Sequence, residues 1–318
     1  MADPLFIHYH PVFEEGIFEK HPALFGRFLQ NSPDHLKESY QKARVTLTKY
    51  EGAITWPLIV GPGFCGATHP GADNIFVTAM ASSNACIYNS DCLYINSAQQ
   101  VFAISDAPGI TTSSRKLFAR LDHYLQTGSI DGIENMINDL NRETEQHNCA
   151  TLTLIYFPRD KSNKRSGKAL AFIAGDTYLF HGNIFQKRLK CIEGNPEFMG
   201  RPYIHFEPER IDLAEGDFFI IASDGIQSIR CNKKETRLEE ALLEHIVDGA
   251  LGDFAFSVIK SCNTVFEARV HDRVITRFGG SDNVSTLLVY PNDLVDIDCE
   301  ERLILGGYIA DKPVDRQR

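Results

Sequence analysis

The first fifty positions carry apolar residues at helical spacing. In "PVFEEGIFEKHPALFGRFLQ" these residues return every three or four positions, with an interruption at Pro22, which predicts helix. The next segment, "NSPDHLKESYQKARVTLTKY", starts with Ser32 as a helix cap and Pro33 at the first helical position. The pattern predicts a packed helical hairpin, with a partner-binding extension as the alternative.

Beyond Ile54 the pattern changes to short apolar segments bounded by Gly, Pro, Ser, Asn and Asp, as expected for strands joined by turns. The predicted strands are "NIFVTAM", "NACIY", "CLYIN", "VFAIS", "TLTLIYF", "ALAFIAG", "TYLFHG", "DFFIIAS" and "VSTLLVY". Residues 183–210 show no regular period and are predicted to be irregular.

Helical periodicity returns in four places, at residues 113–127, 131–145, 237–248 and 253–268. Strand pairs, then a helix pair, then strands again predict an α+β fold, a layered α-β-β-α sandwich of two antiparallel sheets flanked by helices. We divide the chain into an N-terminal helical extension (1–53), a central domain (54–293) and a C-terminal appendage (294–318).

Charge and composition restrict the partners. The net charge of -10 argues against nucleic acid, because nucleic-acid binders present basic surfaces. No apolar run is long enough for a membrane span, and "MADPLFIHYHP" lacks the pattern of a signal peptide. Eight cysteines without a CxxC pair indicate reduced thiols and a cytoplasmic or other intracellular location, with export as an effector as the alternative.

Five aspartates lie at the ends of predicted strands or between them. Asp106 follows the strand in "QQVFAISDAPG", and Asp224 follows the strand in "FIIASDGIQS". Asp282 precedes the final strand, Asp176 lies in "LAFIAGDTYLF", and Asp91 lies in "CIYNSDCLYIN". Taken singly, each is explained by the preference of Asp for turns.

Taken together, these aspartates favour a metal site. Carboxylates brought close to one another repel, and either their pKa values rise or a cation must bind. Oxygen ligands without Cys or His at ligand spacing select hard cations such as Mg²⁺ or Mn²⁺. Two such ions can lower the pKa of a shared water and make hydroxide for phosphoester hydrolysis.

The order of these segments resembles that of the metal-dependent protein phosphatases, the type 2C (PPM) serine/threonine phosphatases. "GDFFIIASDGIQS" is similar to the family's strand ending in Ser-Asp-Gly, and "VFAISDAPG" to its strand ending in Asp-Gly. "GGSDNVSTLLVY", "ALAFIAGDTYLF" and "YNSDCLYIN" resemble three further family segments in the same order. The resemblance covers about residues 60–292 and leaves the N-terminal helices outside.

This resemblance implies a phosphoprotein substrate, two Mg²⁺ or Mn²⁺ ions and a metal-bridging hydroxide as the nucleophile. Asp106 would bridge the metals, the carbonyl group of Ala107 would be a further ligand, and Asp91 would hold or orient water on the cluster. Asp224 and Asp282 would hold the first metal, and Asp106, Asp224 and Asp282 are the predicted catalytic residues. Asp176 would lie where many members place an accessory third ion.

Several positions depart from the family pattern. Ala107 replaces a glycine, and Pro108 stands where many members have a histidine that protonates the leaving group. Cys86 stands in place of the phosphate-binding arginine, and Ser90 in place of a glutamate. A rival alignment places Asp73, from "THPGADNIFV", in the role of Asp91.

The missing arginine leaves the phosphate without a cation. Arg115 and Lys116, in the first turn of the predicted helix at 113–127, are the candidates, because a helix N-terminus also attracts anions. The alternative for both is a solvated surface charge. Departures at Cys86, Ser90 and Pro108 keep a second function open, an inactive phosphatase-like scaffold that binds a protein partner through the N-terminal helices.

Overall fold

Two antiparallel sheets stack face to face in the computed structural model, which describes residues 5–48, 54–81, 87–128, 130–144, 149–159, 166–230, 236–246, 251–294 and 302–310. The first sheet has seven strands in the order β1-β2-β3-β14-β11-β8-β9. These are β1 (Phe6–Pro11), β2 (Thr55–Gly61), β3 (Phe64–His69), β14 (Val284–Val289), β11 (Asp217–Ala222), β8 (Tyr178–Asn183) and β9 (Arg188–Ile192).

The second sheet has six strands in the order β10-β7-β6-β5-β4-β15. These are β10 (Glu209–Asp212), β7 (Lys168–Ala174), β6 (Leu152–Tyr156), β5 (Val101–Ser105), β4 (Ile87–Asn96) and β15 (Arg302–Ala310). A separate hairpin is formed by β12 (Val265–Val270) and β13 (Arg273–Phe278).

Helices cover the outer faces of both sheets. They are α1 (Ile17–Lys20), α2 (Gly26–Leu29), α3 (Asp34–Thr48), α4 (Ala72–Ala81), α5 (Ser113–Thr127), α6 (Ile133–Glu143), α7 (Leu238–Leu243) and α8 (Leu251–Cys262). Helices α5 and α6 pack on the second sheet, and the others pack on the first. The predicted α+β layered sandwich is therefore confirmed.

The apolar run of β11 shows why a continuous pattern marks a central strand. Phe219 and Ile221 point into the core between the sheets, whereas Phe218 and Ile220 point into the core under the helices. Both faces of the strand are buried, so no polar alternation is needed. Removal of a large apolar side chain of this kind from water stabilises the fold by about 1.5–3 kcal/mol.

The N-terminal segment differs from the predicted helical hairpin. Residues Phe6–Pro11 form an edge strand that pairs with β2, and only two short helices follow it. Phe25 has a left-handed backbone conformation (φ 53°) that separates them. The second predicted helix is confirmed as α3, with Tyr40, Ala43 and Leu47 buried.

Other predicted elements also need correction. "NIFVTAM" lies in helix α4, and the two predicted strands around Asp91 are one continuous strand, β4. The helix predicted at 253–268 ends at Cys262, and β12 follows it. Within 183–210, the segment predicted as irregular, Arg188–Ile192 forms β9. The part of the C-terminal appendage that the structure describes includes β15.

Strands from the N- and C-terminal segments thus join the sheets, and the three-part division of the chain remains a prediction. A membrane-crossing helix requires a long apolar run, and no helix within the described ranges contains one.

Candidate active site

The five aspartates of the sequence pattern gather at one end of the sandwich. Asp106 follows β5, Asp224 opens a short 3-10 helix after β11, and Asp282 lies just before β14. Asp176 lies in the turn between β7 and β8, and Asp91 lies inside β4. Strand register explains this meeting, because Ala222 at the end of β11 is paired with both Tyr178 of β8 and Thr286 of β14. We call these five residues the aspartate cluster.

Asp91 and Asp106 form the buried centre of this cluster. The last paired residues of β4 and β5 are Cys92 and Ser105, so the next residues on the two strands, Asp91 and Asp106, face each other. Asp91 is 1% exposed, and its carboxyl group lies near enough to that of Asp106 for each to affect the pKa of the other. Two buried carboxylates so placed repel each other, which favours the protonated form of the pair.

The electrostatics of the pair follow from burial and repulsion. Burial raises the pKa of Asp106 to about 10, and the negative charges of Asp91, Asp224 and Asp282 add to the shift. Burial also raises the pKa of Asp91 to about 7, although a hydrogen bond from Ser223 opposes the shift. The buried pair therefore takes up protons more readily than free carboxyl groups do when no cation is present.

Asp224 and Asp282 lie nearer the solvent. Burial raises the pKa of Asp224 to about 6, with further contributions from the charges of Asp282 and Asp176. The pKa of Asp282 is also raised by burial and by Asp176, while the amide of Asn283 donates to its carboxylate at 2.8 Å. Asp176 is exposed, so the cluster runs from a buried pair to an open rim.

Asn283 ties the two sheets together beside the cluster. Its Oδ1 accepts hydrogen bonds from the amide and the hydroxyl of Ser90, at 2.8 and 2.7 Å. Its Nδ2 donates to the carbonyl oxygens of Pro70 and Tyr88. Asn283 is 1% exposed, so these bonds satisfy an amide that has no access to water. Ser90 and Asn283 thereby fix Asp91 and Asp282, their chain neighbours.

A close backbone approach explains the glycine after Asp224. A Cβ atom added at Gly225 would lie 1.9 Å from the carbonyl oxygen of Asn283, far inside van der Waals contact. Only glycine allows the 3-10 helix that begins at Asp224 to pack on the segment that carries Asp282.

Backbone and hydroxyl groups fix the main chain at Asp106. Its amide donates to Oγ1 of Thr151 at 2.7 Å, and its carbonyl oxygen accepts from the amide of Thr151 at 2.7 Å. Ser223 and Ser285 similarly bridge β11 and β14 below Asp224. Sequence reasoning missed Thr151, Ser223 and Ser285, because a lone Ser or Thr in a strand carries no signal until its partner across the sheet is known.

The oxygen atoms of the cluster include potential ligands for a metal ion. Oδ2 of Asp91 and Oδ1 of Asp224 are buried without a hydrogen-bond partner, which is the condition of a carboxylate oxygen that awaits a cation. Within the described ranges, no three His, Cys, Asp or Glu side chains converge on one point. The residues thus fit a hard divalent cation by their chemistry, without forming a closed cage of side chains.

The structure shows the burial and contacts of the residues that depart from the family pattern. Ala107 is buried and is not among the residues with positive φ, so this turn does not require glycine. Pro108 is exposed beside the cluster, and the hydroxyl of Ser90 is engaged by Asn283. Cys86 lies outside the described residues.

Arg115 and Lys116 lie in the first turn of α5 with exposed side chains. Nη1 of Arg115 donates to the carbonyl oxygens of Ile304 and Gly306, at 3.3 and 3.0 Å, in β15. This contact ties the C-terminal strand to α5, and it engages part of the guanidinium group that a phosphate would need.

Asp73, which the alternative alignment places in the role of Asp91, forms an ion pair instead. It is 2% exposed in the first turn of α4, and its carboxylate pairs with Arg277 of β13. Burial raises the pKa of Asp73, and the charge of Arg277 opposes the shift. This ion pair joins the hairpin to α4, and the groups that shift the pKa of Asp73 include no member of the aspartate cluster.

No protein-family model matches the sequence, and no curated protein shows significant sequence similarity to it. Solved structures do match the fold. A bacterial serine phosphatase aligns with 72% of this chain and 97% of its own, at a TM-score of 0.50 and 14% identity. PppA, a key regulatory component of T6SS in Pseudomonas aeruginosa, aligns with 71% of this chain and 96% of its own, at 0.50 and 13%.

A third structure, the Mycobacterium tuberculosis serine/threonine phosphatase PstP/Ppp, aligns with 71% of this chain and 96% of its own, at a TM-score of 0.48 and 14% identity. The two structures that align at a TM-score of 0.50 show that the chain has a bacterial serine phosphatase fold, and the resemblance to the metal-dependent (PPM-type) phosphatases found in its sequence is confirmed at the level of the fold.

Proposed function

We propose that the chain is a metal-dependent phosphomonoester hydrolase that acts on phosphoserine or phosphothreonine in proteins. The observation that carries this proposal is the buried pair of Asp91 and Asp106, with Asp224 and Asp282 beside it. Burying several carboxyl groups together is unfavourable without a cation, so a purely structural role gives no reason to keep them.

Each aspartate has a proposed role in this reaction. Asp106 would be shared by two Mg²⁺ or Mn²⁺ ions, Asp224 and Asp282 would hold the first, and the carbonyl oxygen of Ala107 would be a further ligand. Asp91 would orient water, and Asp176 at the rim would serve an accessory third ion. When bound, the cations supply positive charge for the phosphoryl group and lower the pKa of a water molecule.

Protonation of the buried pair would be coupled to cation binding. A bound cation would favour the ionised forms of Asp91 and Asp106, because its positive charge would offset their mutual repulsion. Metal affinity therefore rises with pH. Arg115 and Lys116 remain the proposed phosphate-binding cations, although the contacts of Arg115 with β15 weigh against its part in this role.

A turnover assay tests the proposal. Purified protein is given an aryl phosphate and a phosphothreonine peptide, with Mn²⁺, with Mg²⁺ and with a chelator. Asp106→Asn and Asp224→Asn should each lower metal-dependent turnover by at least about 10²-fold, the scale of a removed catalytic group. Asp212→Asn, whose side chain is 90% exposed on β10, is the matched control and should retain activity. Turnover that survives both substitutions contradicts the proposal.

A second candidate function is an inactive scaffold that binds a protein partner through the N-terminal helices. The departures at Cys86, Ser90 and Pro108 favour it. Pro108 cannot protonate a leaving group, whereas Cys86 and Ser90 replace the phosphate-binding arginine and a glutamate of the family pattern. Calorimetry with Mn²⁺ and with the same phosphopeptide separates the two functions. Binding of metal or peptide without turnover would support the scaffold.

An intracellular location accompanies both candidates. Cys65, Cys92, Cys149, Cys191 and Cys262, which are the cysteines of the described ranges, are free thiols, as a reducing compartment would maintain them. Export as an effector remains the alternative.

A further inference from the structure

Three buried polar side chains lie between the two sheets beside the aspartate cluster. They are Thr68 of β3, Asn89 of β4 and Ser285 of β14, and each is 0% exposed. Thr68 shares a face of its strand with Phe64, and Ser285 with Leu287, and both of these apolar residues belong to the core between the sheets. Polar groups are unfavourable in such a core unless they are hydrogen-bonded, so their partners matter.

Thr68 is the centre of this polar group. Its Oγ1 accepts a hydrogen bond from Nδ2 of Asn89 at 2.8 Å and is hydrogen-bonded to Oγ of Ser285 at 2.7 Å. The amide of Ser285 in turn donates to Oγ of Ser223 at 2.9 Å. Asn89 and Asp91 lie two positions apart on β4, so they share one face of that strand. The hydrogen-bonded group therefore links β3, β4, β11 and β14 next to Asp91.

Ser223 and Ser285 connect this group to the carboxyl group of Asp91. Burial raises the pKa of Asp91 to about 7, and hydrogen bonds from the hydroxyl groups of Ser223 and Ser285 act in the opposite direction. Oδ2 of Asp91 is buried and has no hydrogen-bond partner within the described residues, so both hydroxyl groups act on Oδ1. The protein thus holds one oxygen of Asp91 and leaves the other for a ligand.

The number of available protons gives the chain of hydrogen bonds a direction. Nδ2 of Asn89 can only donate, so it occupies a lone pair of Thr68 and leaves the hydroxyl proton of Thr68 for another acceptor. When Thr68 donates this proton to Ser285, the single proton of Ser285 is available for Asp91. In the reverse arrangement Ser285 donates to Thr68 and has no proton left for the carboxylate. The first arrangement uses every donor, and bonds aligned in this way strengthen one another.

We propose that Thr68 and Asn89 are positioning residues for Asp91. Through Ser285 they hold Oδ1 of Asp91 and keep Oδ2 directed at the cation site. This inference rests on the proposed function, because only cation binding gives the orientation of this carboxylate a purpose. Thr68 and Asn89 themselves contact neither the substrate nor the cation.

Removal of the Thr68 hydroxyl tests the proposal. Thr68→Val keeps the shape of the side chain without the hydroxyl, whereas Thr68→Ser keeps the hydroxyl. Calorimetric titration with Mn²⁺ measures the dissociation constant, which should rise about tenfold in Thr68→Val, the scale for loss of a group that orients a metal ligand. Thr68→Ser should bind Mn²⁺ as tightly as the unaltered protein does.

A matched control removes a different buried hydroxyl. Thr144, at the end of α6, is 5% exposed, and its hydroxyl donates to the carbonyl oxygen of Leu140. Thr144→Val should leave the dissociation constant for Mn²⁺ unchanged, because no bond of Thr144 leads to the aspartate cluster. Circular dichroism verifies the fold of each variant.

A double-variant cycle separates positioning from general damage. Asp91→Asn removes the carboxylate, so the addition of Thr68→Val to Asp91→Asn should weaken Mn²⁺ binding no further. The same cycle is measured in chelator through the melting temperature. There the effects of Thr68→Val and Asp91→Asn should be non-additive, because Ser285 joins the two side chains. This second measurement requires no bound cation.

Three results would overturn the proposal. These are unchanged Mn²⁺ affinity in Thr68→Val, equal weakening in Thr68→Val and Thr68→Ser, and additive effects in the cycle with Asp91→Asn. Asn89→Ala, which removes the donor that sets the direction, should also weaken Mn²⁺ binding and provides a second variant if Thr68→Val fails to fold.

Failure of this inference differs from failure of the proposed function. Mn²⁺ binding that Thr68→Val leaves intact refutes the positioning role alone. Absence of Mn²⁺ binding by the unaltered protein refutes the proposed function, and the positioning role toward a cation fails with it.

Discussion

Asp91 and Asp106 face each other across β4 and β5, one position beyond the paired residues Cys92 and Ser105, and burial raises the pKa of both carboxyl groups. The arrangement places two acidic groups where neither can be well hydrated. Protonation of this pair should therefore couple the stability of the protein to pH and to cation binding.

The stability of the metal-free protein should fall as pH rises. The pKa of Asp106 is raised to about 10, that of Asp91 to about 7 and that of Asp224 to about 6, against about 3.9 in the unfolded chain. A carboxyl group with a raised folded-state pKa contributes stability below its unfolded pKa and loses it as pH rises through the folded value. The melting temperature in chelator should fall from about pH 4 towards pH 10, most clearly between about 5 and 8.

Mg²⁺ or Mn²⁺ should reverse this fall, because the cation replaces the protons. Asp106→Asn should flatten the dependence of the melting temperature on pH in chelator, and Asp212→Asn should leave it unchanged. A melting temperature in chelator that rises from pH 5 to 8 would contradict the assignment of the buried pair.

Gly225→Ala should destabilise the protein and disturb the site. The added Cβ would lie 1.9 Å from the carbonyl oxygen of Asn283, and overpacking of this kind costs about 1–3 kcal/mol. Urea denaturation measures the loss. Gly26→Ala is the control, since nothing lies within 4 Å of its added Cβ, and it should be neutral or slightly stabilising. Equal effects of the two substitutions would show that Gly225 is not needed for close packing.

Asn283→Ala should be among the more damaging polar substitutions. It leaves the amide of Ser90 and the carbonyl oxygen of Pro70 without their partner in a site that is 1% exposed at Asn283. A buried unsatisfied group costs about 1–3 kcal/mol, so we expect a loss of about 2–4 kcal/mol in the free energy of unfolding. Asn292→Ala, at an exposed amide, should change it by less than about 0.5 kcal/mol.

Arg115→Ala should loosen β15. The guanidinium group binds the carbonyl oxygens of Ile304 and Gly306, so hydrogen exchange of residues 302–310 should become faster when it is removed. Lys116→Ala, at the next position of α5, is the comparison and should leave this exchange unchanged. A raised Michaelis constant for the phosphopeptide in Arg115→Ala, with unchanged exchange, would instead support phosphate binding by Arg115.

Much of the fold could be read from local patterns. Helix α5 begins and ends where its amphipathic period and Gly128 predict, and β11 and β14 follow their apolar runs. Four of the five aspartates lie next to strand ends, as their turn preference predicts. The order of these segments was enough to indicate the phosphatase fold.

Long-range pairing determined the rest. Asp91 follows Asn and Ser, which favour turns, yet it lies inside β4, because β15 pairs with the residues of β4 before and after it. Phe6–Pro11 is a strand only because β2 offers an edge, and "NIFVTAM", a good strand by composition, is a helix because it packs over the first sheet.

The sequence by itself determined which residues carry acid groups, which runs are apolar, and in what order they come. The tertiary structure alone decided that Asp91 lies opposite Asp106 and that Asp73 pairs with Arg277. Each pair joins residues from different elements of the fold, and its energy depends on burial, which no local pattern contains.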